Sequence, residues 1–466
     1  AEDLDRRRQA VASRSAFRIP TSRSTYEVLQ LRLDAIRLAE LCASARAVLP
    51  EAQLPEESGA LSPADVSDLD ALALDQLRRL LAQSLRALRD PASPGTDPRR
   101  RHRIREAGRL AQLCASRGPA SRRLEILHSR LAEADAVRVE ALSHRRVLDA
   151  RDGGIELLPL LGGKASNLAE MERLAGSGLV PPWFAVTHHA FEEMLASPVA
   201  VRAAGLESLI AGARTLREAI ESILGHGELG IPQRAAAIRL LWEQSRLPED
   251  LAGEVLAAWR RIFAEPPAEG VEDAAPLPGF VAIRSSSREE DAEAAARAGE
   301  FDTFLFVRGE AGVLDHLKRA WSGLWSERAI HNRAVLESST ERAGGGVIVQ
   351  RMVFSRVSGV VQTVNVAENE PREFVINAGL GLGEGVVSGA VAADQVVVAR
   401  EGDLQAGPLR FRYATADKTE RVVLDRESGQ GTRREETLYH QRLRPALEYV
   451  ELCELVRAAA RLEEGY

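Results

Sequence analysis

Leu161-Gly162-Gly163-Lys164-Ala165-Ser166-Asn167-Leu168 says more about the architecture than any other run in the chain. Two glycines lead into a lysine at the start of a helix-like pattern. The chain holds 61 Lys plus Arg, yet only Lys164, Lys318 and Lys418 are lysine. Against so strong an arginine background, a retained lysine is informative. A compact ammonium on a flexible stem meets a phosphate oxygen as a point charge, where a planar guanidinium fork needs more room. The amides of a glycine-rich turn and a helix N-terminus favour an anion at the same place. The same residues also suit a plain turn with a solvated lysine. A P-loop is excluded, because it needs glycine at 158 and Ser or Thr at 165, where the chain has Leu158 and Ala165. A nucleotide bound here therefore sits on another fold. Lys318 lies in the helical run Leu314-Asp315-His316-Leu317-Lys318-Arg319 and is expected to tolerate arginine.

Outward from this turn, the bulk properties set limits. The chain has 466 residues, a length that predicts about two to four domains. Its net charge of −7 argues against a nucleic-acid partner held by bulk electrostatics, so phosphate recognition has to be local. Cys42, Cys114 and Cys453 are far apart in apolar, helix-patterned runs, which predicts packed free thiols and fits a reducing cytoplasm. No secretion signal is recognised, and no run reaches the ~18 apolar residues of a membrane span. A cytoplasmic location without a membrane partner is the expectation.

Residues 1–150 read as helical throughout, with periodic patterns at about 26–49, 69–89, 99–116 and 120–147. Pro91-Ala92-Ser93-Pro94-Gly95-Thr96-Asp97-Pro98 marks a turn. Arg99-Arg100-Arg101-His102-Arg103 has no interleaved aromatics and reads as a solvated helix start. After residue 150 short β-like runs appear between glycines: 184–187, 280–284, 303–307, 346–350, 359–364, 374–377 and 395–398. Helical patterns intervene at about 165–176, 205–262, 312–336 and 435–464. This mixture predicts an α+β fold.

Four further segments bear on chemistry. Arg284-Ser285-Ser286-Ser287 ends an apolar strand, and an arginine with three hydroxyls suits a phosphate or carboxylate. It equally suits a serine-rich turn capping a helix. In Arg297-Ala298-Gly299-Glu300-Phe301-Asp302-Thr303, Gly299 permits close backbone approach and Thr303 offers a hydroxyl at a strand start. Val347-Ile348-Val349-Gln350-Arg351-Met352-Val353 is a core strand with a polar break, a pattern able to line an adenine pocket. Asn377-Ala378-Gly379-Leu380-Gly381-Leu382-Gly383-Glu384-Gly385 has GxGxG spacing, but no βαβ unit with a downstream acid follows it. It reads as a loop over phosphates, with Glu384 as its functional carboxylate toward a metal or a substrate hydroxyl.

Taken in order, five blocks resemble the nucleotide-binding domain of the phosphoenolpyruvate synthase and pyruvate phosphate dikinase family. They are Gly162-Gly163-Lys164 with Asn167-Leu168-Ala169-Glu170-Met171, Val180-Pro181-Pro182-Trp183-Phe184, and Arg284-Ser285-Ser286 with Glu290-Asp291. Ala298-Gly299 with Asp302-Thr303-Phe304-Leu305, and Gly381-Leu382-Gly383-Glu384 with Val386-Val387-Ser388-Gly389, complete the set. The resemblance covers about 155–466 and implies an ATP-grasp-like fold. It divides the chain into a helical domain of unknown role at 1–150, a first nucleotide-binding subdomain at 151–345 and a second at 346–466. It implies that Lys164 and Arg284 contact ATP phosphates, that Gly299 and Thr303 lie along the nucleotide, and that Gln350 sits at the adenine hinge.

ATP and Mg²⁺ are the implied cofactors, with no residue assigned to the metal. In this family ATP phosphorylates a histidine on a separate swivelling domain, which carries the group to pyruvate or another acceptor; relatives use glucans or a rifamycin. That phosphocarrier histidine domain and the acceptor domain are expected beyond Tyr466 or on another chain. Leu462-Glu463-Glu464-Gly465-Tyr466 looks like the approach to the family's last motif, which supplies a metal-binding Glu and a Gln, so the portion at hand is expected to be incomplete as an enzyme. Two departures stand out: Glu300-Phe301 replaces Gln-Gln, and Asn365 stands where Asp is common. The rival readings are a non-catalytic nucleotide-binding module and an interaction scaffold built on the N-terminal helices.

Overall fold

The computed structural model describes residues 135–175, 178–199, 205–264, 279–287, 303–335, 344–368, 370, 372–402, 404–405 and 407–465. The expectations for residues 1–134, including Cys42 and Cys114, for Glu290-Asp291 and for 297–302, including Gly299, lie outside the described residues. Two compact units are formed, one from Ala132–Arg356 with Glu420–Glu436, the other including Val357–Thr419 and Thr437–Tyr466. Both mix helices and sheets, in keeping with an α+β class.

In chain order the first unit contains β1 (Val147–Asp149), α1 (Gly163–Ala175), β2 (Trp183–Val186), α2 (His188–Ala196), α3 (Leu216–Gly225), α4 (Ile231–Gln244) and α5 (Glu249–Ala264). It continues through β3 (Phe280–Ser287), β4 (Thr303–Arg308), α6 (Glu310–Ser322), α7 (Glu327–Val335) and β5 (Gly345–Arg351). The sheet order is β1-β2-β5-β3-β4, antiparallel at every pairing. Side chains alternate between its faces. One face sends Phe184, Val186, Val281, Ile283, Val307, Val347 and Val349 into a core shared with α2–α6. At its centre Phe191, Trp242, Trp321 and Trp325 pack with ring centroids 5.8–6.2 Å apart. The other face packs Leu148, Trp183, Ala185 and Ile348 against Leu161, Ala165 and Ala169 around α1.

Several predicted boundaries move for physical reasons. The pattern at 205–262 becomes three helices, because Gly227, Gly230 and Pro248 interrupt it. Residues 147–149, expected at the end of a helix, form an edge strand in which Leu148 is fully buried against β2. Arg284-Ser285-Ser286-Ser287 is strand to its end, since β5 pairs with it through Ser287. The division expected at 345/346 falls at 356/357, because β5 is the central strand of the first unit's sheet.

The second unit contains β6 (Val357–Gln362), β7 (Glu373–Leu380), α8 (Gly383–Val387), β8 (Asp394–Ala399), β9 (Phe411–Ala414) and α9 (Tyr449–Gly465). Its four strands run β6-β7-β8-β9, again antiparallel. Leu452, Cys453, Val456 and Ala460 of α9 pack on Phe374, Ile376, Val396 and Val398 of the sheet. Cys453 is a buried free thiol, as expected. The helix predicted over 435–464 begins only at Tyr449, because Pro445 cannot continue a helix and residues up to Glu436 pair as strand in the ribbon Glu420–Leu424/Thr432–Glu436. Among the described residues no helix is long and apolar enough to cross a membrane.

Candidate functional site

The glycine pair before Lys164 is a junction between two helical pieces. Leu158–Leu161 makes one helical turn, closed by the Gly162 amide donating to Leu158 O at 2.9 Å. Gly162 O then accepts from Ser166 N at 3.2 Å, which makes Gly162 the residue that caps α1. Its φ of +76° is a left-handed conformation that favours glycine. A Cβ there would also overlap the carbonyl of Ser286. Gly346 is needed for the same reason on β5, where a Cβ would stand 2.6 Å from Leu161 O. Two strands and the turn thus touch backbone to backbone. Ala165 N donates to Ser286 Oγ at 2.9 Å across this contact.

Strand register then selects which polar side chains share the α1 face. Ala282, Arg284 and Ser286 of β3 pair with Gln350, Ile348 and Gly346 of β5, and Trp183 and Ala185 of β2 complete the rows. Arg284 and Gln350 are both half-buried. Gln350 Nε2 donates to Pro181 O at 3.3 Å.

Thr303 joins this face through an irregularity. Val281 pairs with Val307, yet Ile283 pairs with Phe304 and Arg284 with Thr303, so β4 carries one extra residue. An unbroken register would place Phe304 opposite Arg284 and turn Thr303 to the other face. The bulge contains Phe306, whose φ of +56° is unusual for an aromatic residue. Its buried ring packs 5.8 Å from Phe280 and 5.1 Å from Phe354, which holds that conformation.

The register therefore brings Arg284, Thr303 and Gln350 onto one sheet face, and Lys164 lies on the first turn of α1, which meets that face through Ala165 N and Ser286 Oγ. Glu384 belongs to the second unit, exposed on the first turn of α8. The two serines of the Arg284-Ser285-Ser286-Ser287 run whose side chains are described face opposite ways. Ser285 lies on the opposite face in line with Val281 and Ile283, and its Oγ has no hydrogen-bond partner. Ser286 Oγ accepts from Ala165 N.

Residues 158–466 match the family described as Pyruvate phosphate dikinase, AMP/ATP-binding domain. The chain belongs to this family. Phosphoenolpyruvate synthase from Pyrococcus furiosus is 32% identical over 297 residues, covering 59% of this chain and 34% of that protein. The Aeropyrum pernix phosphoenolpyruvate synthase is 35% identical over 265 residues, covering 56% and 29%. A rifampicin phosphotransferase from a Streptomyces species is 31% identical over 325 residues, covering 70% and 34%. The chain spans about a third of the length of the relatives it matches.

Within this ATP-binding domain the partners of the two other lysines escaped the sequence reading. Lys418 and Asp394 form a fully buried ion pair at 2.6 Å. Asp394 also accepts from Ala416 N at 2.8 Å, Ala446 N at 2.7 Å and Tyr413 Oη at 2.9 Å, so all its acceptor positions are used. Burial first, and the Asp394 carboxylate beside it, push the Tyr413 phenol up to about 12, opposed by the amide of Leu447. Lys318 is no bland surface residue either: its Nζ donates to Glu243 O at 3.0 Å and Ser245 O at 3.2 Å, closing the end of α4. The signal for both lysines was their rarity. Asn365, where Asp was expected, donates its amide to Glu373 Oε2 at 2.7 Å, a bond that a carboxylate could not make.

Proposed function

We propose that this chain carries the nucleotide-binding part of an ATP-dependent phosphotransferase. ATP lies lengthwise on the α1 face of the five-stranded sheet, with the base near Gln350 and the phosphates toward Lys164. The observation that carries this reading is the register that aligns Gln350, Arg284, Thr303 and the α1 turn on one face. From the Gln350 row to the Ser286 row is four strand residues, or about 13 Å, a length suited to an extended nucleoside triphosphate. Gln350 and the backbone beside it read the base edge. Arg284 clasps phosphate oxygens, Thr303 donates its hydroxyl, and the ammonium of Lys164 neutralises charge as the phosphoryl group moves. Phosphoryl transfer relies on such positioning and neutralisation more than on covalent work by the protein. Gly299 is assigned to the same nucleotide by resemblance; Glu384, in the second unit, is read from its own glycine-rich loop as a carboxylate for a metal or a substrate hydroxyl.

Mg²⁺ supplies charge neutralisation on phosphate oxygens when bound. Among the described residues no group of three or more His, Cys, Asp or Glu is arranged to hold a metal ion. The phosphoryl acceptor is a histidine imidazole on a separate domain. Its nitrogen attacks phosphorus as the P–O bond to the nucleotide breaks, and the group passes on to pyruvate or another acceptor. The rifampicin phosphotransferase match extends over more of this chain than the two synthases described, at nearly the same identity, which keeps an antibiotic as the second acceptor reading. Calorimetric titration with ATP and with adenosine tests the binding reading. Saturable ATP binding, tighter than adenosine, is expected; absence of ATP binding overturns it.

A further inference from the structure

We infer that Ser286 is a positioning residue for Lys164, acting as an N-cap supplied from a distant strand; this rests on the nucleotide reading above. A helix begins with amides that find no acceptor inside it, and a capping Ser, Thr, Asp or Asn side chain ordinarily accepts one of them. In α1 the capping position is Gly162, which has no side chain to offer. It has to be glycine, since its φ is +76° and a Cβ would overlap Ser286. The third amide of the helix, Ala165 N, donates instead to Ser286 Oγ at 2.9 Å, from a strand 121 residues further along. Ser286 is fully buried. The hydroxyl absent at 162 is thus restored by β3, at the point where the backbones meet.

The consequence reaches the ligand-facing residues. Lys164 is the residue immediately before the captured amide, and Arg284 lies two residues before Ser286 on the same strand face. One buried hydroxyl therefore sets the position of the α1 ammonium relative to the β3 guanidinium. Ser286 need not touch the nucleotide to do this.

Ser285 supplies an internal control. It is the adjacent residue, of the same type and similarly buried, but its hydroxyl is on the opposite face and has no hydrogen-bond partner. Removing an unpartnered hydroxyl should leave the fold as it is or improve it slightly.

The experiment compares the full chain with Ser286→Ala, Ser286→Cys and Ser285→Ala, reading calorimetric affinity for ATP and for adenosine together with amide hydrogen exchange across 163–166. Cysteine keeps the volume but accepts weakly, so it serves if the alanine variant does not fold. Expected for either Ser286 variant is faster exchange at the start of α1 and ATP binding weaker by about three- to tenfold, with adenosine affinity unchanged. Ser285→Ala should match the parent in all three. Equal losses for ATP and adenosine, unchanged exchange, or the same losses in Ser285→Ala would overturn the inference while leaving the nucleotide reading intact. A parent chain that binds no ATP overturns that reading, and this inference with it.

Discussion

The two faces of the five-stranded sheet are built from alternate residues of the same strands, and they differ in kind. One is closed by helices over a cluster of Phe191, Trp242, Trp321 and Trp325. Packing dominates so completely there that the indole N–H groups of all three tryptophans are buried without a partner. The other face meets the chain through glycines at 162 and 346 and through the Ser286 hydroxyl, with Arg284, Thr303 and Gln350 beside them. Side-chain volume holds the first face together. Backbone proximity and directed hydrogen bonds organise the second, which is what a site for a polar ligand requires.

This contrast can be broken most forcefully at Trp242. Trp242→Ala should cost about 3–5 kcal/mol of stability, read by denaturant unfolding, while the folded fraction keeps the parent's ATP affinity. A matching loss of affinity would mean that the faces are not separable. Lys418→Ala extends the test to a polar group with only a structural role. Leaving Asp394 buried without its cation should cost about 3–5 kcal/mol in unfolding of the second unit.

Lys164 gives the opposite signature. Lys164→Ala should change stability little but weaken ATP binding by about 1.5–3 kcal/mol, ten- to a hundredfold in calorimetry. Lys164→Arg should lose nearly as much, because the backbone-to-backbone turn leaves little room for a fork. An arginine variant that binds like the parent would reduce Lys164 to a solvated residue on a turn. Lys318→Arg is unsuitable as a silent control, since that ammonium closes α4. Thr303→Val should weaken ATP by about 1 kcal/mol, and no change in titration would remove Thr303 from the site.

The smallest expected effect is in alkali. The Tyr413 phenol is pushed up to about 12 from an ordinary 10.0, so the folded state holds its proton more tightly than the unfolded chain. Its stabilisation is complete below pH 10 and is lost as pH rises toward 12. Tyr413→Phe should flatten that part of the stability profile in thermal melts, leaving neutral pH affinity for ATP unchanged.

By itself the sequence determined the local elements and the chemical types: most strands after residue 180, the helix behind Lys164, the glycine turns, and the ordered blocks that place the chain in its family. These follow from short-range rules, namely side-chain periodicity, glycine and proline conformations, and the rarity of lysine against arginine. The tertiary structure alone decided the partners. Sheet order set β5 between β2 and β3 and moved the domain division past it. A bulge at Phe306 put Thr303, and not Phe304, beside Arg284. Ser286 was turned to α1 and Ser285 away from it, and Lys418 was closed over Asp394. The physical reason is the same in each case. A strand's side chains change face with every one-residue shift in register, and partners are set by contacts between separate segments, from Asp394 and Lys418, 24 residues apart, to Ala165 and Ser286, 121 apart, which no local pattern encodes.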